Sequence, residues 1–315
     1  MVGSPSLHAA IRRVATLVLL ALLPACGIAY HPIDDVDRPQ VSYVPEGPPT
    51  AVILALHGFN DNRHAFDEFA GFAVARGYRI EAFDQQGFGA NRNRGLWPGN
   101  AALADDLRRR VATIREKWPD TPLYVLAESM GAAVATIAFA DADPALDPPV
   151  DGLVMTAPAV WGGAAFNPFY RAALMTAASL LPRYEVTGRG LGRRASDNDE
   201  ALIALGRDPL VIKETRLDAV AGLVKLMDAA VASAPALDLP ILVLMGERDE
   251  IIPPDITARF VERLDPERCR AVLYPEGWHL LLRDLQRERV WQDIVAWLEG
   301  EAPADAEPCG RALDG

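Results

Sequence analysis

Ala127-Glu128-Ser129-Met130-Gly131 follows the apolar run Leu123-Tyr124-Val125-Leu126 and leads into Ala132-Ala133-Val134-Ala135-Thr136-Ile137-Ala138. The order is strand, sharp turn, helix, with a serine at the tip. A serine hydroxyl becomes a useful nucleophile when it is exposed, aligned and next to a base. A tight strand-to-helix turn holds Oγ clear of the strand end, and small residues two places either side let neighbouring backbone approach. This is the G-x-S-x-G pattern of a nucleophile elbow with Ala127 in the first glycine position. The bland alternative is a buried strand that happens to end in Ser and Gly, so the rest of the chain has to decide.

Outward from this stretch, other continuous apolar runs read as strands buried on both faces. They are Ala51 to Leu56, Tyr78 to Phe83, Leu153 to Thr156, Ile241 to Met245 and Ala271 to Tyr274. Between them lie helical spacings, over His64 to Ala75, Ala101 to Trp118, Asp255 to Leu264 and Leu285 to Leu298. Strands alternating with helices predict a mostly parallel, doubly wound α/β sheet. Val41 to Val44 reads as a short edge strand. From Trp161 to Leu237 the pattern changes: helical segments appear over Phe169 to Leu181, Asp199 to Gly206 and Leu217 to Val231, and no strand is expected. This insertion predicts a helical cap over residues 161–237, placed over the strand ends where open α/β sheets bind ligands. Residues 51–160 and 238–299 form the core. Glycines 188, 190 and 192 do not follow a strand and are not a dinucleotide fingerprint.

The 315 residues suffice for one large α/β domain with an insertion or for two domains. A net charge of −12 argues against a nucleic-acid partner, which calls for a basic surface. Hydrophobic residues at 50% exclude a disordered chain. Arg12 and Arg13 precede a ten-residue apolar run, Val14 to Leu23, too short for a comfortable membrane span and suited to a secretory signal. Leu23-Pro24-Ala25-Cys26 at its end resembles the lipobox of bacterial lipoproteins. That resemblance implies a signal over residues 1–25, lipidation of Cys26, and a Pro- and Asp-rich tether over residues 26–50. An ordinary cleaved signal with Cys26 incidental is the alternative, and the arginine pair is a weak hint of twin-arginine export. Removing residues 1–25 would leave 29 basic against 43 acidic residues, a balance of −14. Gly27 rather than Asp after the cysteine resembles the outer-membrane sorting signal of Gram-negative lipoproteins, which in such a source would imply a cell-envelope protein on the outer membrane facing the periplasm. Export would put Cys269 and Cys309 in an oxidising compartment; a bridge would tie the tail to the body, and free thiols are the alternative. The Ala/Pro/acidic segment 300–315 reads as a poorly ordered tail.

An activated serine needs a base, and the base needs an orienting acid. There are five histidines. His8 lies in the signal, His31 in the tether, His57 at a strand end and His64 at a helix start, which leaves His279 in the loop Pro275-Glu276-Gly277-Trp278-His279. Asp249, in Gly246-Glu247-Arg248-Asp249-Glu250 directly after a strand, is the candidate acid, with Glu250, Asp255 and Glu247 as fallbacks. Any one of these residues is more often merely solvated, but three at strand ends in the order Ser129, Asp249, His279 make a coherent triad. The backbone amides of Met130 and Phe59 are candidate oxyanion donors, with His57 and Gly58 shaping the loop. Glu128 is better placed to shape the local field than to act as base. His57, Asp61 and His64 fit no common zinc spacing, so no metal is expected.

These pieces, with Asp84 to Gly89, Ile252-Pro253, His279-Leu280-Leu281 and Asp284, resemble the monoacylglycerol lipase and lysophospholipase branch of the α/β-hydrolases. That branch includes serine aminopeptidase-like proteins. The match spans about Ala51 to Leu298. The chain departs from it in Ala127 before the nucleophile and in Gln85-Gln86-Gly87 where an Arg-Gly-His type loop is usual. It also has fewer strands before the His-Gly loop. The resemblance implies a serine hydrolase of acyl-ester lipids that needs no cofactor. Phe166, Phe169, Leu174, Leu223 and Met227 of the cap are candidate acyl-pocket residues, with packing of the cap onto the sheet as the alternative. A peptidase or amidase of the same fold and a non-catalytic lipid- or partner-binding envelope protein remain as other readings.

Overall fold

The computed structural model describes residues 39–140, 150–165, 167–188, 190 and 192–310. The signal region, Cys26 and the first part of the tether lie outside the described residues, as does Phe166.

In chain order the elements are β1 (Gln40–Tyr43), β2 (Ala51–Leu56), α1 (Asp67–Val74), β3 (Tyr78–Phe83), α2 (Asn100–Lys117), β4 (Leu123–Glu128), α3 (Met130–Ala140) and β5 (Gly152–Thr156). The inserted segment carries α4 (Pro168–Leu180), β6 (Glu185–Val186), α5 (Asp199–Arg207), β7 (Thr215–Arg216) and α6 (Leu217–Ser233). The chain then returns with β8 (Ile241–Gly246), α7 (Pro254–Val261), β9 (Cys269–Tyr274), α8 (Arg287–Leu298) and β10 (Glu307–Pro308). The main sheet has the order β1-β3-β2-β4-β5-β8-β9-β10. The strands from β2 to β5, with β8 and β9, pair in parallel, and β1 and β10 pair antiparallel to their neighbours.

The period-two geometry of a strand explains how one apolar run serves two layers. In β2, Val52, Leu54 and Leu56 face α2, α3 and the cap helix α6, where they pack with Leu103, Leu107, Val134 and Leu226. Ala51, Ile53 and Ala55 face the opposite layer with Phe66, Phe69, Val290 and Ile294. Each such side chain contributes on the order of 1.5–3 kcal/mol by leaving water, which is why the central strands contain almost nothing polar.

Two expectations are corrected. The segment 161–237 holds a two-stranded antiparallel pair, with Glu185 opposite Arg216 and Val186 opposite Thr215; each strand has only two residues, too short for alternation to register in the sequence. Residues 300–310 are not a loose tail. Glu307 and Pro308 pair with Ala271 and Arg270, and Cys309 is buried and disulfide-bonded to Cys269, the first residue of β9. A covalent tie and backbone pairing order a segment whose composition alone could not.

Candidate active site

Parallel pairing puts the carboxyl ends of β2, β4, β5, β8 and β9 on one side, so the loops that follow them converge. Ser129 follows β4 directly, Asp249 follows β8, and His279 follows β9. Ser129 has φ of 52°, in the left-handed region that costs a side-chain-bearing residue roughly 1–2 kcal/mol. The turn is held there because the Ser129 amide donates to the Thr156 carbonyl, while the Ser129 carbonyl accepts from Ala132 and Ala159. Gly131 is required by close approach: a Cβ there would lie 2.4 Å from the Leu56 carbonyl oxygen. Ala127 is buried in β4, opposite Leu56 and Met155, and its one methyl is accommodated where a glycine was expected.

His279 Nε2 lies 3.0 Å from Ser129 Oγ, and His279 Nδ1 lies 2.7 Å from Asp249 Oδ2. The carboxylate can only accept, so Nδ1 carries the proton and Nε2 is free to accept the serine proton. Asp249 is held in turn, its Oδ1 accepting from the amides of Ile251 at 2.7 Å and Ile252 at 2.9 Å. All three side chains are buried. Burial alone would push the imidazole pKa down, but the charge and hydrogen bond of Asp249, with a further contribution from Glu128, outweigh it and hold His279 above its ordinary value. The arrangement can take a proton from Oγ and hold it as a stabilised imidazolium.

The loop after β2 lies beside the serine. A Cβ on Gly58 would sit 3.3 Å from the Ser129 Cβ, so the backbone leading into Phe59 passes in near-contact with the Ser129 side chain. Phe59 itself packs against Phe88 and Trp97. Met130 begins α3, at the helix end where backbone N–H groups lack intrahelical acceptors. His57 is a structural residue of this loop. Its Nε2 accepts from the Gln85 amide at 3.0 Å, so its Nδ1 donates to the Gly58 carbonyl at 2.8 Å. Burial pushes its pKa down and keeps the ring neutral. Gln85 also donates through Nε2 to the His57 carbonyl at 2.6 Å. Gln85 therefore braces the loop after β2 from both its backbone and its side chain.

Of the cap residues expected to line an acyl pocket, Phe169 is 83% exposed on α4. Leu174, Leu223 and Met227 pack against the core cluster. Their position matches the packing alternative.

Sequence reasoning missed two features. The first is Arg283, whose buried guanidinium donates through Nη2 to Asp61 Oδ2 at 2.8 Å and to Glu128 Oε1 at 2.7 Å. The second is the loop of residues 194–198 in the inserted segment, which bonds to both the Asp249 and His279 loops. The Arg194 amide donates to Glu250 Oε2 at 2.7 Å, Leu280 donates to the Ala195 carbonyl at 2.9 Å, and Asn198 Nδ2 donates to the Arg283 carbonyl at 2.8 Å. Ser196 Oγ and the Trp278 amide both donate to the Asp284 carboxylate. The only sequence signal for Arg283 was an ionisable residue in an otherwise apolar run, Leu280-Leu281-Leu282.

The description of the family "Serine aminopeptidase, S33" matches residues 47–286. The chain is 24% identical over 275 residues to monoglyceride lipase of Mus musculus, covering 84% of this chain and 88% of the mouse protein. It is 23% identical to monoacylglycerol lipase of Mycolicibacterium smegmatis, covering 81% and 90% of the two chains. Among solved structures, a soluble variant of Saccharomyces cerevisiae monoglyceride lipase in complex with a substrate analogue superposes with a TM-score of 0.70. That match has 18% identity and covers 83% of this chain and 91% of the yeast chain.

Proposed function

The chain belongs to the serine aminopeptidase S33 family and has the α/β-hydrolase fold, and from that premise we propose that it hydrolyses carboxylic esters of acyl lipids, of the monoacylglycerol or lysophospholipid type. The observation that carries the reading is the pair of hydrogen bonds from Ser129 through His279 to Asp249, at 3.0 and 2.7 Å. Ser129 Oγ attacks the ester carbonyl as its proton passes to His279 Nε2. The amides of Phe59 and Met130 receive the oxyanion of the tetrahedral intermediate. Collapse breaks the ester C–O bond, and the leaving alcohol takes the proton from His279. Water, deprotonated by the same imidazole, then attacks the acyl-enzyme, releasing the fatty acid and regenerating Ser129. Asp249 holds the tautomer throughout. The lipase relatives support the substrate class.

The family's description favours a second reading, cleavage of a peptide amide by the same three residues. A fluorophosphonate probe, followed by a panel of acyl esters graded in chain length and run against peptide amides, decides. We expect labelling of wild type and none of Ser129→Ala, with turnover of the esters. Labelling with turnover confined to amides would replace the ester reading with the peptidase one, and no labelling of folded wild type would overturn both.

We propose in addition that Cys26 carries a lipid anchor that holds the enzyme at the cell envelope, on the outer membrane facing the periplasm in a Gram-negative source. The sequence Leu23-Pro24-Ala25-Cys26 supports it, and metabolic labelling with an alkyne fatty acid, lost in Cys26→Ala, tests it.

A further inference from the structure

Three loops must keep register for the proposed chemistry: the elbow with Ser129, the loop through Phe59, and the loop with His279. One nitrogen atom of the third segment, Nη2 of Arg283, touches the other two. Arg283 belongs to the histidine loop, Glu128 is the residue before the nucleophile, and Asp61 lies on the loop after β2, where its amide donates back to the Gly58 carbonyl at 3.3 Å. Asn60, between Phe59 and Asp61, has φ of 65°, in the left-handed region that asparagine enters more readily than most residues.

The bridge is poorly explained as a stabilising ion pair. Glu128 is 1% exposed and Asp61 7%. Removing two carboxylates and a guanidinium from water costs enough that apolar residues of similar volume usually serve stability as well. The bridge is also incompletely satisfied. Among the described residues, Glu128 Oε2 and Arg283 Nε are buried with no hydrogen-bond partner. A bridge with little to gain in stability is read for what it holds in place. It also has a field: Glu128 and Arg283 both act on the His279 imidazole, with opposite signs.

We propose that Arg283 is a positioning residue that locks the nucleophile elbow and the oxyanion-side loop to the histidine loop through Glu128 and Asp61, and that Glu128, the residue before Ser129, adds to the field that Asp249 sets at His279. This rests on the triad reading above. It predicts effects on the chemical step and its pH dependence, while substrate binding is left nearly as it was.

The test uses the full chain and compares fluorophosphonate labelling rates and ester kinetics for wild type, Glu128→Gln, Arg283→Lys, Arg283→Met and the double variant Glu128→Gln/Arg283→Met. Glu128→Gln keeps the shape and an acceptor for Arg283, so it should fold. Losing its negative charge should move the acid limb of kcat/KM to lower pH by about half a unit. Arg283→Met leaves two buried carboxylates facing each other and should lower kcat and the labelling rate by at least about tenfold, with KM within roughly twofold. A single Nη2 serves both carboxylates, so the ammonium of Arg283→Lys should recover much of the loss, and the double variant should outperform Arg283→Met. The proposal is overturned by a Glu128→Gln profile that superimposes on wild type, or by Arg283→Lys and the double variant being no better than Arg283→Met. Should Arg283→Met not fold, the Glu128→Gln profile and Arg283→Lys decide alone. If wild type itself is not labelled, the hydrolase reading falls and takes this inference with it; if wild type is labelled and the variants behave like it, only this inference falls.

Discussion

The hydroxyl of Ser196 donates a 2.6 Å hydrogen bond to Asp284 Oδ1 across the junction of cap and core. The other oxygen of Asp284 accepts from the amide of Trp278, the residue before His279, at 2.8 Å. A cap side chain is thus one carboxylate away from the backbone that carries the imidazole. Burial pushes Asp284 up to about 7, against the two hydrogen bonds that pull it down. The folded chain therefore keeps this proton where the unfolded chain, with a carboxyl near about 4, has released it. Stability from this group is greatest at low pH and falls as pH rises from about 4 through about 7. Thermal midpoints of wild type and Asp284→Asn across pH 4 to 9 should show it: the advantage of wild type shrinks over that window and is level above it. Ser196→Ala, which strips one partner from a buried carboxylate, should lower stability by about 1–3 kcal/mol in urea titrations.

The raised pKa of His279 fixes the sign of the activity profile. The base must be neutral to accept the serine proton, so kcat/KM should fall on the acid side with an apparent pKa above about 6.5, the ordinary imidazole value. Asp249→Asn should lower kcat by roughly 10³–10⁴-fold and move the remaining acid limb to lower pH, because the charge that holds the imidazolium is gone. Stopped-time hydrolysis of a chromogenic ester between pH 5 and 9 checks both.

Gly131 and Gly58 make different demands. Gly131→Ala places a methyl 2.4 Å from the Leu56 carbonyl oxygen, which is backbone and cannot swing away. A loss of about 1–3 kcal/mol is expected, read from the urea midpoint. Gly58→Ala meets the Ser129 Cβ at 3.3 Å and should be milder for stability while lowering kcat, since the atom that must give is on Ser129, the proposed nucleophile.

The bridge between Cys269 and Cys309 closes a loop of 40 residues. Chain entropy puts its contribution near 4 kcal/mol. Cys309→Ser should lower the thermal midpoint by several degrees at unchanged specific activity, and thiol titration of denatured, unreduced wild type should find neither cysteine free.

The buried strands were legible because a strand covered on both faces has no choice but continuous apolar residues, and β2 and β3 fall on the residues the sequence indicated. The three side chains of the site were legible for a related reason: each stands directly after such a run, and His279 was the histidine left once the others had been placed. Arg283 was not legible, because its partners Glu128 and Asp61 are remote in sequence and no local pattern announces a pairing across 155 and 222 positions. The order of residues 300–310 was half legible: the bridge from Cys309 to Cys269 was one of two alternatives the cysteines offered, whereas the segment's own composition is that of a solvated tail. Phe169, a candidate acyl-pocket residue by its type, is presented to water by its helix, which no local pattern distinguishes.

The outermost strands of the sheet are four and two residues long and run against the direction of their neighbours. Without β10, the flank of β9 would offer free amides and carbonyls beside Ala271, the pattern onto which another copy can add a strand. The cross-link that retains Glu307 and Pro308 there thus shields the sheet from self-templated growth, and a reducing milieu would remove a guard against aggregation as well as a restraint on the unfolded chain.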